Sequence, residues 1–391
     1  MKIISVVGAR PNFMKIAPFC HAIERWNQKS EVGGQKSEIE HILVHTGQHY
    51  DERMSAKFFD ALNIPRPDID LEVGSGTHAE QVGNTMIAFE KVLKQHRPDW
   101  VVVVGDVNAT CACSITAKKE HIKVAHIEAG LRSFDMEMPE EINRLVTDRL
   151  SDLLLTPDQL SNENLRKEGF PEDRIQFVGN IMIDTLEEHR DTAGQMDPAA
   201  IIKSNILCPE QFQHFNVSAF QRLPFSLLTM HRPSNVDRPE VLGPILDFLL
   251  DDVCANMPLI WPIHPRTQKQ LQSFGLWEKA LAAPNLILLH PIGYHEMLRL
   301  NMDATVMLTD SGGLQEECCV LGTPCLTLRW NTERPITLRE HGGASVLVGN
   351  NVDRLRAEFH TTLQSPRTPQ RPELWDGHTA DRIVQALLAR Q

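Results

Sequence analysis

None of the eight cysteines stands in a Cys-x-x-Cys pair, which excludes the usual zinc spacing and a dithiol redox motif. The eight (Cys20, Cys111, Cys113, Cys208, Cys254, Cys318, Cys319 and Cys325) mostly lie in apolar surroundings. They read as reduced core thiols of a cytoplasmic protein. No apolar run approaches the roughly 20 residues that span a bilayer. Met1-Lys2 leads straight into an apolar strand and Gly8, so no signal peptide is expected. Positive charge is also scarce: 39 Lys and Arg stand against 51 Asp and Glu, a net charge of −12. That balance argues against polynucleotides and anionic membranes, though not against a single nucleotide. The turn after the first strand holds only Gly8, and the second strand ends in Thr46-Gly47-Gln48 rather than an acid. The dinucleotide fingerprint is therefore missing, and a Walker A loop is absent too. Neither a nicotinamide cofactor nor a metal is expected, and no internal repeat is visible.

The chain does have length and alternation. Its 391 residues exceed what one core usually supports, so two domains are expected. Short apolar, β-branched runs alternate with helical patterns, the signature of parallel α/β architecture. Strands are expected at 3–7, 42–46, 100–104, 124–127, 153–156 and 175–178, then at 225–230, 259–263, 286–289, 305–308, 325–328 and 345–348. Two such sets make two doubly wound, Rossmann-like sheets in tandem. The crossover is expected soon after Val178-Gly179-Asn180, giving domains over 1–180 and 181–375. A last amphipathic helix, 379–390, follows the Asp376-Gly377 turn. Residues 28–37 read as a loop between the first helix and the second strand, and 207–224 as a packing appendage.

The stretch 123–144 changes character abruptly. Glu128 stands where an apolar strand ends, followed by Ala129-Gly130, and a carboxylate there has little structural purpose. Pro139 suits a first helical turn, and the acids Glu140 and Glu141 suit its dipole. Asp106 likewise follows four valines, Val101 to Val104. In open α/β sheets such strand ends line the ligand crevice, where two carboxylates can divide acid and base roles. Asp106 alternatively serves as the N-cap of the next helix. Arg10 and Lys15, just after the first strand, place two cations at the same crevice, as an anionic ligand requires.

In the second half, Thr229-Met230-His231-Arg232 and Pro262-Ile263-His264-Pro265-Arg266 each bring a His and an Arg to one rim. Thr309-Asp310-Ser311-Gly312-Gly313-Leu314-Gln315-Glu316-Glu317 is the sharpest signal there. A strand ends, a Ser-Gly-Gly turn follows, and a helix begins, presenting backbone N–H groups to an anion. Without Cβ atoms, Gly312 and Gly313 admit a diphosphate closely. Glu317, one turn on, suits ribose hydroxyls.

These stretches, in this order, resemble the non-hydrolysing UDP-N-acetylglucosamine 2-epimerases. The likeness runs from Gly8-Ala9-Arg10-Pro11 through Gly105-Asp106, His126-Ile127-Glu128-Ala129-Gly130-Leu131-Arg132 and Pro139-Glu140-Glu141-Ile142-Asn143-Arg144. It continues through Val178-Gly179-Asn180, His231-Arg232 and 309–317 to Thr332-Glu333-Arg334-Pro335. The resemblance implies the glycosyltransferase B-type fold, with the nucleotide sugar between two Rossmann-like domains and the last helix (376–391) packed back on the first. It implies an isomerase of polysaccharide biosynthesis that uses a UDP-sugar, needs no cofactor and forms a homodimer. Asp106, Glu128 and Glu140 would be the acid/base carboxylates. Arg10, Lys15 and His231 would stabilise the diphosphate and departing UDP. Ser311, Gly312, Gly313, Glu317 and Arg334 would bind the nucleotide, with Met297 at the family's aromatic position near the uracil. Gln48-His49-Tyr50-Asp51 and Pro233-Ser234 replace residues that many bacterial members use for a second, activating UDP-N-acetylglucosamine. The Tyr50-Asp51 form also occurs in relatives acting on diacetamido-glucuronate nucleotides. A glycosyltransferase on the same fold, a hydrolysing epimerase and a non-catalytic nucleotide-sugar sensor are the competing readings. The three carboxylates favour the epimerase over the first and the last of these.

Overall fold

The computed structural model describes residues 1–8, 10–33, 38–47, 62–208 and 224–391. The chain divides into two compact units, Met1–Glu188 with Pro372–Gln391, and His189–Arg371. The break falls within a helix, Ile181–Gly194.

The first unit holds strands β1 (Lys2–Val7), β2 (Glu40–His45), β3 (Ile69–Asp70), β4 (Trp100–Val104), β5 (Lys123–Ile127), β6 (Leu153–Thr156) and β7 (Ile175–Phe177). Its helices include α1 (Arg10–Gly33), α2 (His78–His96), α3 (Asn108–Lys119), α4 (Pro139–Leu150) and α5 (Gln159–Lys167). All strands are parallel, in the order β3-β2-β1-β4-β5-β6-β7. The four valines of β4 are fully buried because helices cover both faces of the sheet, which is why the strand reads as one continuous apolar run. Strand order reverses between β1 and β4, and ligands of doubly wound sheets bind at that switch point.

The second unit carries β8 (Ser226–Thr229), β9 (Leu259–Pro262), β10 (Leu286–Leu289), β11 (Val306–Thr309), β12 (Cys325–Thr327) and β13 (Ser345–Leu347). They are again parallel, ordered β10-β9-β8-β11-β12-β13, so the reversal lies between β8 and β11. After those strands come α6 (Pro233–Val236) and α7 (Pro265–Ser273), following β8 and β9, α8 (Tyr294–Asp303) before β11, and α9 (Gly312–Leu321) after it.

Every strand expected from the sequence is present, most with ends shifted by a residue or two; β3 is an addition. It is held by the pairing of Val44 with Ile69 and His45 with Asp70. The expected loop at 28–37 is corrected in part: α1 continues through Gly33, and only 34–37 lie outside the described residues. Asn27 secures that region, exchanging two 2.9 Å hydrogen bonds with the Ile39 backbone. The Gln48-His49-Tyr50-Asp51 stretch and residues 209–223 of the expected appendage lie outside the described residues. All eight cysteines are free, and all but Cys208 are buried.

The C-terminal helix, Thr379–Leu388, belongs to the first unit. Its first N–H groups, on Thr379 and Ala380, donate to Asp184 at 3.0 and 2.7 Å. Trp375 Nε1 donates to the Pro157 carbonyl (2.9 Å) just before that helix, and Arg25 on α1 meets Asp381 at 2.9 Å. Burial pushes the Asp184 carboxyl up to about 6, even though the Ala380 and Thr379 N–H groups favour its anion.

Candidate functional site

Two adjacent turns, after β4 at the switch point of the first sheet and after its neighbour β5, carry the acids. After β4 the chain turns through Gly105 (φ +68°) into Asp106. After β5 it turns through Glu128 (φ +73°), Ala129 and Gly130 (φ +81°). Val104 pairs with Ile127, so the turns lie side by side, and the Gly105 N–H donates to the Ile127 carbonyl (3.1 Å). A Cβ on Gly130 would stand 2.5 Å from the Ser161 carbonyl oxygen, so only glycine fits there. Glu128 has no such freedom. A residue with a side chain in this left-handed region carries about 1–2 kcal/mol of strain, and such strain collects at functional sites.

Glu128 is 4% exposed, and its Oε2 accepts from Lys15 Nζ at 2.6 Å. Lys15 reaches it from the second turn of α1 and is itself buried. The cation placed at the crevice by the sequence therefore faces a carboxylate of the same crevice. A Cβ on Gly105 would meet Nζ and Oε2 at 3.4 and 3.6 Å, ordinary contact, so the φ of +68° rather than crowding is what favours glycine there. The backbone of Arg10 opens α1, and its side chain lies outside the described residues.

Asp106 does not cap α3. The N-cap position is Val107, with no side-chain capping bond, while the Asp106 carboxylate accepts from Arg144 Nη2 (2.6 Å) and Nε (3.0 Å). Arg144 also meets Glu141 at 2.5 Å. Glu141 in turn accepts from the Ser133 N–H and hydroxyl, both 2.9 Å, and from the Phe134 N–H at 3.0 Å. Glu140, one residue earlier in the first turn of α4, is exposed. Residues three apart share a helix face, so Glu141 and Arg144 point inward together while Glu140 faces solvent. The Pro-Glu-Glu-Ile-Asn-Arg motif contained that pairing, but not which acid turns inward.

The second unit builds its cluster at its own switch point, where Thr229 of β8 pairs with Thr309 of β11. Asp310 follows β11 fully buried, and one oxygen accepts from the N–H groups of His231 (2.9 Å) and Arg232 (2.8 Å) and from Asn235 Nδ2 (3.1 Å). Its other oxygen lies 3.1 Å from His231 Nδ1. Burial alone would raise this carboxyl; the bond and charge of His231, with the Arg232 and His231 N–H groups, hold it below its ordinary range. The His231 side chain is 44% exposed. Its ring lies 5.2 Å from that of His264, whose imidazole is pushed down by burial and then by the charge of His231. Asp310 anchors both the histidine turn and Arg232, a role the sequence reading did not assign to it.

Ser311 stands at the N-cap of α9 without making a side-chain capping bond. Gly312 is confined: a Cβ there would lie 2.8 Å from both Arg334 Nη1 and Glu333 Oε1. Arg334 bonds Glu316 (2.8 Å) and Glu333, and Glu333 also meets Arg329 at 2.6 Å. The guanidinium expected at the nucleotide thus braces the Gly312 turn through two acids. Glu317 is buried at 3% exposure. Burial raises its carboxyl to about 7, with Glu316 adding to the rise and hydrogen bonds to Tyr294 and Asn301 opposing it. Met297, on α8, is half-buried against the apolar cluster that includes Ile287, Leu289 and Leu300. Gly313 begins α9 beside Gly312.

A family model described as UDP-N-acetylglucosamine 2-epimerase matches residues 33–388. A UDP-N-acetylglucosamine 2-epimerase of Methanocaldococcus jannaschii is 40% identical over 389 residues, 99% of each chain. The crystal structure of the UDP-GlcNAc 2-epimerase from that organism, in complex with UDP-GlcNAc and UDP, matches with a TM-score of 0.85 at 39% identity, covering 100% of each chain. A UDP-2,3-diacetamido-2,3-dideoxy-D-glucuronate 2-epimerase of Pseudomonas aeruginosa is 35% identical over 391 residues, 99% of each chain. The two parallel, Rossmann-like sheets make up the glycosyltransferase B-type fold of these structures.

Proposed function

We propose, from the premise that the chain belongs to the non-hydrolysing UDP-N-acetylglucosamine 2-epimerase family, that it interconverts UDP-N-acetylglucosamine and UDP-N-acetylmannosamine. The C2 proton of an N-acetylhexosamine is not next to a carbonyl, so simple deprotonation is not feasible at neutral pH. Departure of UDP changes this. As the C1–O bond breaks, its electron pair leaves with UDP and cationic character at C1 makes the C2 proton removable. A base takes that proton and a 2-acetamidoglucal forms. UDP then adds back to C1 while a proton arrives on the opposite face of C2.

The route needs a base, an acid and stabilisation of the leaving diphosphate. Asp106, Glu128 and Glu140 of the first unit are the acid/base carboxylates in this reading. His231, the Ser311-Gly312-Gly313 turn, Glu317, Arg334 and Met297 of the second unit take the nucleotide, with Arg10 and Lys15 supplying positive charge. The observation that carries the reading is Glu128, held at φ +73° against Lys15 beside the Asp106 turn. Incubation with UDP-N-acetylglucosamine should give UDP-N-acetylmannosamine, without free N-acetylmannosamine. Release of the free sugar would make the enzyme a hydrolysing one, and transfer to an acceptor would make it a glycosyltransferase. The 35% identity to the Pseudomonas aeruginosa enzyme supports offering the diacetamido-glucuronate nucleotide in parallel.

We further place the protein in the cytoplasm as a homodimer. Among the described residues no helix is long and apolar enough to cross a membrane, and the eight free thiols suit a reducing compartment. A monomer in sedimentation at micromolar concentration would overturn the dimer.

A further inference from the structure

Beneath the two acidic turns lies a buried chain of charges. His126, in β5, is fully buried; its Nδ1 lies 2.6 Å from Asp148 Oδ1 and its Nε2 lies 2.9 Å from the Gly105 carbonyl oxygen. Both partners are acceptors, a carboxylate and a carbonyl, so each ring nitrogen is placed to donate. Asp148 Oδ2 accepts from the Gly130 N–H at 3.0 Å and from Arg132 at 2.7 Å. Arg132 closes the chain in a two-bond fork to Glu168, at 2.7 and 2.8 Å. The Asp148 carboxylate is thus met by the His126 ring, the Gly130 N–H and the Arg132 guanidinium together, the kind of pairing a buried charge requires.

What this chain holds is specific. Gly105 immediately precedes Asp106, and Gly130 closes the turn that Glu128 opens. Hydrogen bonds from His126 to one turn and from the other turn to Asp148 join the two strand ends beyond the last β4–β5 backbone bond, Gly105 N–H to the Ile127 carbonyl. We infer that His126 and Asp148 are positioning residues for the epimerisation, a buried ion pair that fixes the Asp106 and Glu128 turns relative to each other. This rests on the reading of Asp106 and Glu128 as acid/base groups. A carboxylate displaced by about 1 Å from its reacting proton costs on the order of 10²-fold in rate, whereas nucleotide contacts in the second unit are untouched.

The test compares H126N, H126Q and D148N with the wild type. The Asn nitrogen falls near Nδ1 and can keep the Asp148 contact, while the Gln nitrogen falls near Nε2 and can keep the Gly105 contact. Each variant breaks the link at one end, so all three should lose about 10- to 100-fold in kcat, with UDP affinity within about threefold of wild type. C2 deuterium exchange should fall with kcat. Wild-type kcat per folded molecule in H126N and H126Q would overturn the inference. So would a kcat loss matched by an equal loss of UDP affinity. A second measurement needs no variant: nitrogen NMR of the histidine-labelled wild type should show one ring with both N–H protons slow to exchange with solvent, and its absence would also overturn the inference. A wild-type enzyme without any C2 exchange would instead remove the reaction itself, a failure distinct from either.

Discussion

Lys15→Met removes the cation that faces Glu128 and keeps most of the side chain's length and apolar stem. Lys15 Nζ and Glu128 Oε2 are 2.6 Å apart, and both groups are buried. At an effective dielectric of ~20 two unit charges at that distance attract by about 6 kcal/mol, part of which offsets their desolvation. Removing one partner of a buried pair typically costs ~3–5 kcal/mol, because the other charge loses its compensation from that partner. At ~2–4 °C per kcal/mol for a unit of this size, the melting temperature should drop by roughly 6–20 °C. In the double variant Lys15→Met/Glu128→Gln the carboxylate charge goes together with its cation, and the coupling should recover up to ~3 kcal/mol. Urea unfolding of the wild type, both single variants and the double variant closes the cycle. A Lys15→Met loss below ~1 kcal/mol, the range of exposed ion pairs, would refute the argument that this pair is desolvated.

Glu317 gives a pH signature. Its folded-state value of about 7 lies above the ordinary 4.5, so the native state holds the proton that the unfolded chain releases. Its contribution is present in full below about 4.5 and is lost as pH rises to about 7, a slope of up to ~1.4 kcal/mol per unit; Glu317→Gln should flatten that part of a pH series of urea melts. Asp106→Asn, Glu128→Gln and Glu140→Gln should each lower kcat by ~10²–10⁴-fold, the usual worth of a positioned acid or base, while calorimetry finds UDP binding retained; full activity in all three would remove the site. His231→Ala should slow the reaction in both directions by impairing UDP departure, read as equal proportional losses in forward and reverse kcat. UDP at 100 times its dissociation constant should stabilise the protein by ~2.7 kcal/mol, and NAD should leave the melting temperature unchanged; the opposite pattern would overturn the nucleotide reading.

The strands were legible because parallel sheets bury both faces, so β4 appears as an unbroken apolar run and an acid follows soon after both β4 and β5. Asp106 and Glu128 could therefore be placed at one crevice without a structure. β3 could not be read: two residues carry no periodicity, and its existence depends on its pairing with β2. The phase of α4 decided that Glu141 turns inward and Glu140 outward, a distinction of about 100° that adjacent identical residues cannot signal. Lys15 lies 113 residues from its partner Glu128, and no local pattern announces so distant an ion pair. Arg334 was legible as a cation near the glycine turn, but its engagement by Glu316 and Glu333 follows from tertiary packing. His126 lay in plain view inside a strand, and only its two acceptor partners reveal the link it makes between the two turns.

The central claim is that a C2–H bond breaks and re-forms with UDP departing in between. Incubation with UDP-N-acetylglucosamine in deuterium oxide, followed by proton NMR of the nucleotide sugars, tests it most directly. The product UDP-N-acetylmannosamine should carry deuterium at C2, and recovered substrate should acquire the same label on prolonged incubation. Epimer formed with its original proton at C2 would contradict the account.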